Sequence, residues 1–184
     1  MNYSKVVNMG VVACPGGEAF CDSVVDYLKR NYTIRLNSKA EAISKAYNIT
    51  KEEAVARINL QSDLIDPDAI SISKDIHALD CPEFKIPTKC TRFANGEFKT
   101  ELLSSVRGMD VFIVQDCENH YPIDVNGDGK KQVLSVPDHV FILLATIDAV
   151  FQSGASSVSV VVPVYPFSRQ HERKGREALT ASLF

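Results

Sequence analysis

The sequence lacks the short motifs that identify several large classes of protein. Its 184 residues contain neither GxGxxG nor GxxxxGK[ST], so the two common phosphate-binding loops are absent. The five cysteines form no CxxC pair and the four histidines are scattered, so no zinc-ligand spacing occurs. These absences predict reduced cysteines in a cytoplasmic protein.

Long apolar runs are also missing. Residues 1–5 lead into a short strand-like run, so we expect no secretory signal peptide, and no stretch approaches the length of a membrane span. The net charge is −3, whereas nucleic-acid binders are usually basic. We therefore expect neither a membrane nor a nucleic acid as a partner. The 45% hydrophobic and 23% charged content is typical of a globular domain with a core.

Strand-like and helix-like segments alternate along the chain. This order predicts an α/β fold with a mostly parallel, doubly wound sheet. Asn95-Gly96 is a hairpin turn signal that predicts an antiparallel flap on the edge of the sheet. The predicted strands are 6–13, 84–93, 98–103, 110–115 and 158–162, and the predicted helices are 18–30 and 140–152.

Residues 37–80 are more polar than the rest and are predicted to be an insertion. Ser38 with Glu41, and Thr50 with Glu53, match capping boxes, which predicts short helices at 39–47 and 51–61. Simple surface decoration is favoured over a lid or an assembly surface.

The last residues, 177–184, are predicted to begin a helix with Leu179, Leu183 and Phe184 on its apolar face. The sequence stops before that helix could complete its face. We therefore expect the 184 residues to belong to a longer protein.

A cationic segment, residues 169–176, follows the predicted strand 158–162 and Pro163. Open α/β sheets bind ligands beyond the carboxyl ends of their strands, and guanidinium groups pair with phosphate. The segment therefore predicts a phosphate-rich ligand. His171 lies within it, whereas His77 and His139 are predicted to be surface residues.

Residues 124–129 match the first half of a calcium loop. The twelfth position, where a bidentate glutamate is expected, is Ser135, and Lys130 and Lys131 would lie beside the cation. A solvated turn is favoured over a calcium site.

Residues 93–97 place Phe93, Asn95 and Glu97 around one turn. Such a set could stack on a purine and form hydrogen bonds with its edge. The alternative is a hairpin in which Phe93 belongs to the core and Glu97 is merely exposed, and the residues alone favour this alternative.

Four motifs occur in a characteristic order: 92–97, 105–115, 163–176 with Arg169-Gln170, and 176–181. Together they resemble the N-terminal half of ribose-phosphate pyrophosphokinase, also called phosphoribosyl pyrophosphate synthetase. The resemblance runs from about Pro87 to the end, with a weaker similarity in 6–31. It implies a phosphoribosyltransferase-type fold, and an enzyme that uses Mg²⁺ to transfer the diphosphoryl group of ATP to ribose 5-phosphate.

The resemblance also implies roles for individual residues. Phe93, Asn95 and Glu97 would hold the adenine of an ATP bound mainly by a neighbouring subunit, which implies a homo-oligomer. Arg169 and Gln170 would belong to the ATP site itself. A possible allosteric site for phosphate or ADP would use Ser105, Arg107 and Arg176.

The family's magnesium and catalytic residues lie in its C-terminal half. The resemblance therefore implies no catalytic or metal-binding residue in these 184 residues, and no synthetase activity for this chain alone. The alternatives are a non-catalytic regulatory homologue that associates with true synthetases and, less favoured, a phosphoribosyltransferase proper. The chain departs from the family pattern at His171-Glu172 and Ala178, and in the longer connections 37–80 and 118–137.

Overall fold

The computed structural model describes residues 9–55, 81 and 83–184. They fall into a smaller unit, Met1–Met9 with Ser23–Phe84, and a larger unit, Gly10–Asp22 with Lys85–Phe184. Residues 6–8 of the first predicted strand, residues 56–61 of a predicted helix, and His77 lie outside the described residues. The described strands are β1 (Met9–Ala13), β2 (Thr88–Arg92), β3 (Phe98–Leu102), β4 (Asp110–Val114) and β5 (Ser157–Val161). The described helices are α1 (Glu18–Tyr47), α2 (Lys51–Val55) and α3 (Val136–Gln152).

A three-stranded sheet with the order β1-β4-β5 forms the centre of the larger unit. β4 and β5 are parallel, with Asp110 opposite Ser157 and Val114 opposite Val161. Val111 and Ile113 of β4 are fully buried, as expected for apolar β-branched residues in a central strand. The α/β architecture predicted from the alternating segments is confirmed.

Helix α3 packs in the same hydrophobic core as the buried residues of β4. Ile142, Leu143 and Val150 are buried on one helical face. The helix begins at Val136, before the predicted residue 140, because Ser135 and Asp138 form a capping box. The Ser135 hydroxyl accepts from the Asp138 N–H at 3.3 Å, and the Asp138 carboxylate accepts from the Ser135 N–H at 2.9 Å.

The predicted antiparallel flap is confirmed as a hairpin of β2 and β3. Thr88 lies opposite Leu102 and Arg92 opposite Phe98. Gly96 has φ +92°, a conformation that the predicted Asn-Gly turn requires and that glycine adopts without strain. The hairpin forms a two-stranded sheet of its own, separate from the three-stranded sheet.

The prediction of separate helices at 18–30 and 39–47 is wrong. Helix α1 is continuous through Ser38. Tyr32, Ala40 and Ile43 are buried at helical spacing on both sides of Ser38, so burial continues where a break was predicted. The insertion at 37–80 stays a prediction, and its proposed first residue lies inside this helix.

The second capping box of that region is confirmed. The Thr50 hydroxyl accepts from the Glu53 N–H and the Glu53 carboxylate accepts from the Thr50 N–H, both at 3.2 Å. This arrangement starts α2 at Lys51.

The helix predicted at 177–184 is wrong. Only one 3₁₀ turn forms there, over Thr180–Ser182, and Leu183 remains 80% exposed. The turn is held instead by Tyr165, whose hydroxyl donates to the Ala181 carbonyl at 2.9 Å.

None of the described helices combines the length and the apolar character needed to cross a membrane.

Candidate functional site

The hairpin turn between β2 and β3 presents the residues predicted to hold a purine. The Phe93 N–H donates to the Glu97 carbonyl at 2.8 Å, and the Asn95 side-chain oxygen accepts from the Glu97 N–H at 3.2 Å. Phe93 is 47% exposed, so the interpretation of Phe93 as a core residue is wrong, and Phe98 takes the core position instead. The turn therefore leaves an aromatic face, an amide NH₂ group and a carboxylate accessible.

A cavity of about 530 Å³, the hairpin cavity, lies beside this turn. Its volume is in the range of small-molecule sites. Residues of the hairpin and of the loop 123–132, named the Asp124 loop, share its lining: Arg92, Phe93, Ala94, Gly96, Asn126, Asp128, Lys130, Lys131 and Gln132.

The Asp124 loop is a closed turn. The Asp124 carboxylate accepts from the N–H groups of Gly127, Asp128 and Gly129 at 2.8, 3.1 and 2.7 Å. Ile123 and Gln132 exchange two backbone hydrogen bonds, at 2.9 and 3.0 Å, and close its base. The carboxylate that would be the first calcium ligand thus faces three N–H donors, which favours the predicted turn.

Asn126 and Arg92 join the Asp124 loop to the hairpin. The Arg92 N–H donates to the Asn126 side-chain oxygen at 2.7 Å, and the Asn126 amide donates to the Arg92 carbonyl at 3.3 Å. The Arg92 guanidinium donates to Gln132 and lies over the Phe98 ring, 5.6 Å from its centroid. Arg92 therefore holds these two segments together.

Arg169 and Gln170 lie in a second cavity of about 250 Å³, lined also by Glu118, Val136 and Phe167. Glu118 follows β4 and Arg169 follows β5, so the cavity lies beyond the carboxyl ends of two parallel strands, where a ligand was predicted.

The local backbone fixes Arg169 and Gln170 in a single 3₁₀ turn, Ser168–Gln170. Phe167, which precedes it, has φ +58°, an uncommon conformation for an aromatic residue. The Gln170 side-chain oxygen accepts from the Thr180 hydroxyl at 2.7 Å. The Arg169 guanidinium is exposed, and in the part of the chain that the structure describes it has no hydrogen bond or ion pair.

The predicted ATP residues do not share one cavity. Phe93 lines the hairpin cavity, whereas Arg169 and Gln170 line the second cavity. Of the predicted allosteric residues, the structure joins Ser105 to Arg107, whose N–H donates to the Ser105 hydroxyl at 3.4 Å. The side chains of Arg107 and Arg176 are exposed and have no ion pair among the described residues.

The prediction that His139 is a surface residue is wrong, because His139 is only 1% exposed. Its ring Nδ1 lies 3.1 Å from the Gln115 amide nitrogen and its Nε2 lies 3.1 Å from the Asn119 carbonyl. A carbonyl can only accept, so Nε2 carries the proton and Nδ1 accepts from Gln115. The Ser135 capping box was the missed signal, because it places His139 on the buried face with Ile142.

Gln115 extends this network to the turn after β1. Its amide nitrogen also lies 3.2 and 3.1 Å from the carbonyls of Pro15 and Asp116, so its two N–H groups are shared among these carbonyls and the His139 ring. Gln115 is fully buried, and its side-chain oxygen has no partner among the described residues. The Gln115–His139 network thus connects the ends of β1 and β4 to the first turn of α3.

The buried thiols do not provide a nucleophile. Burial raises the pKa of Cys14 to about 12 and that of Cys117 to about 11, so both stay protonated at neutral pH. No group of three or more His, Cys, Asp or Glu side chains that could hold a metal ion occurs in residues 9–55, 81 and 83–184. The described residues therefore supply no such cluster for the magnesium ion of the reaction that the resemblance implies.

Comparisons with known proteins give relatives of this chain and a structure of similar fold. A family model described as the N-terminal domain of ribose phosphate pyrophosphokinase matches residues 73–184. The ribose-phosphate pyrophosphokinase of Staphylococcus epidermidis is 36% identical over 98 residues, which are 52% of this chain and 26% of that protein. The Bacillus subtilis ribose-phosphate pyrophosphokinase is 31% identical over 99 residues, again 52% of this chain and 26% of that protein.

A crystal structure of phosphoribosylpyrophosphate synthetase from Mycobacterium smegmatis has the same fold. It matches with a TM-score of 0.50 and 18% identity, over 96% of this chain and 37% of that chain. The matched segment is about a quarter of the length of the curated relatives. Because the family model covers more than half of the 184 residues, the chain belongs to the family of ribose phosphate pyrophosphokinase N-terminal domains.

Proposed function

We propose that this chain is the N-terminal half of a ribose-phosphate diphosphokinase, which transfers the diphosphoryl group of ATP to ribose 5-phosphate. The observation that carries the proposal is the hairpin turn, which exposes Phe93, Asn95 and Glu97 together beside an open cavity. Family membership over residues 73–184, which include every proposed site residue, supports the same reaction.

The three turn residues complement adenine. The exposed Phe93 ring offers a stacking face, and the Glu97 carboxylate can accept from the exocyclic amine. The Asn95 oxygen is engaged by the Glu97 N–H, so its NH₂ group is the part that can donate to a ring nitrogen.

Arg169 and Gln170 would bind the phosphates of ATP. Phosphoryl-type transfer depends mainly on positioning and on neutralising charge, and the Arg169 guanidinium is available for both. Magnesium, when bound, would neutralise charge on the transferred group, and its ligands would come from outside the described residues. The described residues alone would therefore not catalyse the reaction.

The ATP site is proposed to form between two copies of the protein. Phe93 and Arg169 line different cavities in one copy, so an ATP contacting both would have its adenine on one copy and its phosphates on another. This arrangement requires a homo-oligomer. Ser105, Arg107 and Arg176 would bind a regulatory phosphate or ADP in the same intersubunit manner.

A cytoplasmic location is part of the proposal. The five cysteines are all unbridged, as expected for a protein in a reducing compartment.

Titration calorimetry with ATP tests the site assignment. Stacking on an aromatic ring contributes about 1–3 kcal/mol per base, so Phe93→Ala should weaken ATP binding by roughly tenfold or more. Arg169→Ala should weaken it by a similar factor because a charge-assisted hydrogen bond to phosphate is lost. Phe151→Ala removes a phenylalanine that is 68% exposed on α3 and should leave the affinity unchanged.

Unchanged ATP affinity in both Phe93→Ala and Arg169→Ala would contradict the assignment. A coupled assay for phosphoribosyl pyrophosphate on the purified 184-residue chain provides an independent check. We expect no activity above background. Robust product formation would contradict the proposal that the described residues bind ATP but do not catalyse the reaction alone.

A further inference from the structure

We propose that Lys130 and Lys131 of the Asp124 loop form a phosphate-binding wall of the hairpin cavity. They would hold the phosphate nearest the ribose of a nucleotide whose base stacks on Phe93. This inference rests on the proposed function. In addition to Arg169 of one copy, the copy that binds the adenine would contribute two cations to phosphate binding.

The charge of the cavity lining favours an anion. Arg92, Lys130 and Lys131 are cationic and Asp128 is anionic. Arg92 is half-buried and is held by Gln132 and the Phe98 ring, whereas both lysines are exposed and are the more accessible cations. Lys130 lies 3.9 Å from the Asp128 carboxylate with 89% of its side chain exposed, and a pair this exposed contributes little.

The two lysines belong to a fixed segment. Three hydrogen bonds to Asp124, at 2.7–3.1 Å, hold the turn that precedes them. The Ile123–Gln132 backbone pair closes the loop directly after Lys131, and Asn126 joins it to Arg92. The ammonium groups therefore extend from a backbone held beside Phe93, which reduces the entropy lost when they bind an anion.

The combination of groups indicates the class of ligand. An exposed aromatic face next to two ammonium groups, around a space of about 530 Å³, suits a planar base joined to a phosphate. A free inorganic phosphate would use the lysines and leave the aromatic face unused, so it is the appropriate comparison ligand.

Calorimetric titrations of the 184-residue chain with adenosine, AMP and ADP, in the presence and absence of competing inorganic phosphate, test the inference. The double substitution Lys130→Gln/Lys131→Gln should weaken AMP and ADP binding at least about fivefold and leave adenosine binding unchanged. Raising the salt concentration should narrow the difference between this variant and the unmodified chain. The matched control Lys45→Gln/Lys51→Gln removes two exposed lysines of the smaller unit and should leave the affinities for AMP and ADP unchanged.

Each outcome separates this inference from the proposed function. Phe93→Ala could weaken the binding of adenosine, AMP and ADP while Lys130→Gln/Lys131→Gln weakens the binding of none of them. In that case the inference is wrong and the assignment of Phe93 to adenine stands. If the control lysine variant weakens AMP and ADP equally, general charge attraction explains the effect and the inference is overturned. If excess inorganic phosphate displaces AMP completely in Phe93→Ala but only partly in the unmodified chain, base and phosphate bind together as proposed.

Discussion

Replacing His139 by leucine tests whether the Gln115–His139 network stabilises the larger unit. The substitution removes the hydrogen bonds to Gln115 and Asn119, both 3.1 Å long. Gln115 keeps its hydrogen bonds to the Pro15 and Asp116 carbonyls, whereas the Asn119 carbonyl loses its hydrogen bond from His139. Each lost hydrogen bond costs about 1 kcal/mol, and leaving the half-buried Asn119 carbonyl unpaired adds a cost at the low end of about 1–3 kcal/mol, so we expect a loss of about 2–4 kcal/mol. For a chain of this size the melting temperature should fall by roughly 5–15 °C.

Thermal and urea unfolding followed by circular dichroism measure this effect. His120→Leu is the matched control, because His120 is exposed and should change the free energy of unfolding by less than about 0.5 kcal/mol. Gln115→Leu and the double variant complete a cycle with His139→Leu, in which we expect a coupling energy of about 1 kcal/mol. A melting temperature of His139→Leu within about 2 °C of the unmodified chain, together with additive energies in the cycle, would refute a stabilising role for the network.

Two further predictions concern ionisable groups. Burial alone would raise the pKa of Asp138, but hydrogen bonds from the Ser135 N–H and hydroxyl outweigh burial and lower it below its usual value. Because the folded-state pKa of Asp138 is lowered, its ionised carboxylate stabilises the fold. This contribution is present above the pKa of Asp138 in the unfolded chain and is lost as the pH falls through its pKa in the folded chain. Asp138→Asn should therefore lower the free energy of unfolding by about 1 kcal/mol at pH 7 and by progressively less below about pH 4, as urea titrations at pH 7 and pH 3 would show. In alkylation followed by mass spectrometry, the exposed Cys81 should react before the buried Cys14 and Cys117, and equal rates would contradict their burial.

Local signals in the sequence identified those elements whose determinants lie close together in the chain. The Asn95-Gly96 turn and the Thr50–Glu53 capping box formed as predicted, because a few adjacent residues determine each of them. Ser38 and Glu41 carry the same capping pattern, yet α1 continues through them. Burial of side chains along one continuous helical face outweighs the preference of a single serine for a helix start.

The predicted helix at 177–184 failed for the opposite reason. Its apolar residues do have helical spacing, but Leu183 is 80% exposed and buries little surface. A short helix without a packing surface does not offset the cost of its first turn. The Thr180 hydroxyl binds Gln170 instead, a contact between residues ten apart that no local pattern indicates.

The candidate site was predictable where its residues are neighbours. Phe93, Asn95 and Glu97 lie within one turn, and Arg169 and Gln170 are adjacent in the turn Ser168–Gln170, so short motifs could indicate them as candidates. The contribution of the Asp124 loop was not predictable, because Asn126 lies 34 residues after Arg92 and only the fold brings them together. His139 was missed because the start of its helix was placed four residues too late.

The hydrogen bonds between Asn126 and Arg92 also affect how the hairpin meets other molecules. The Arg92 N–H and carbonyl lie on the outer side of β2, where β2 pairs with no further strand among the described residues. By binding both groups, the Asn126 side chain takes the place that an incoming strand would occupy. The Asp124 loop therefore guards this end of the hairpin against edge-to-edge aggregation, and a shortened loop would leave β2 open to pairing with a second chain.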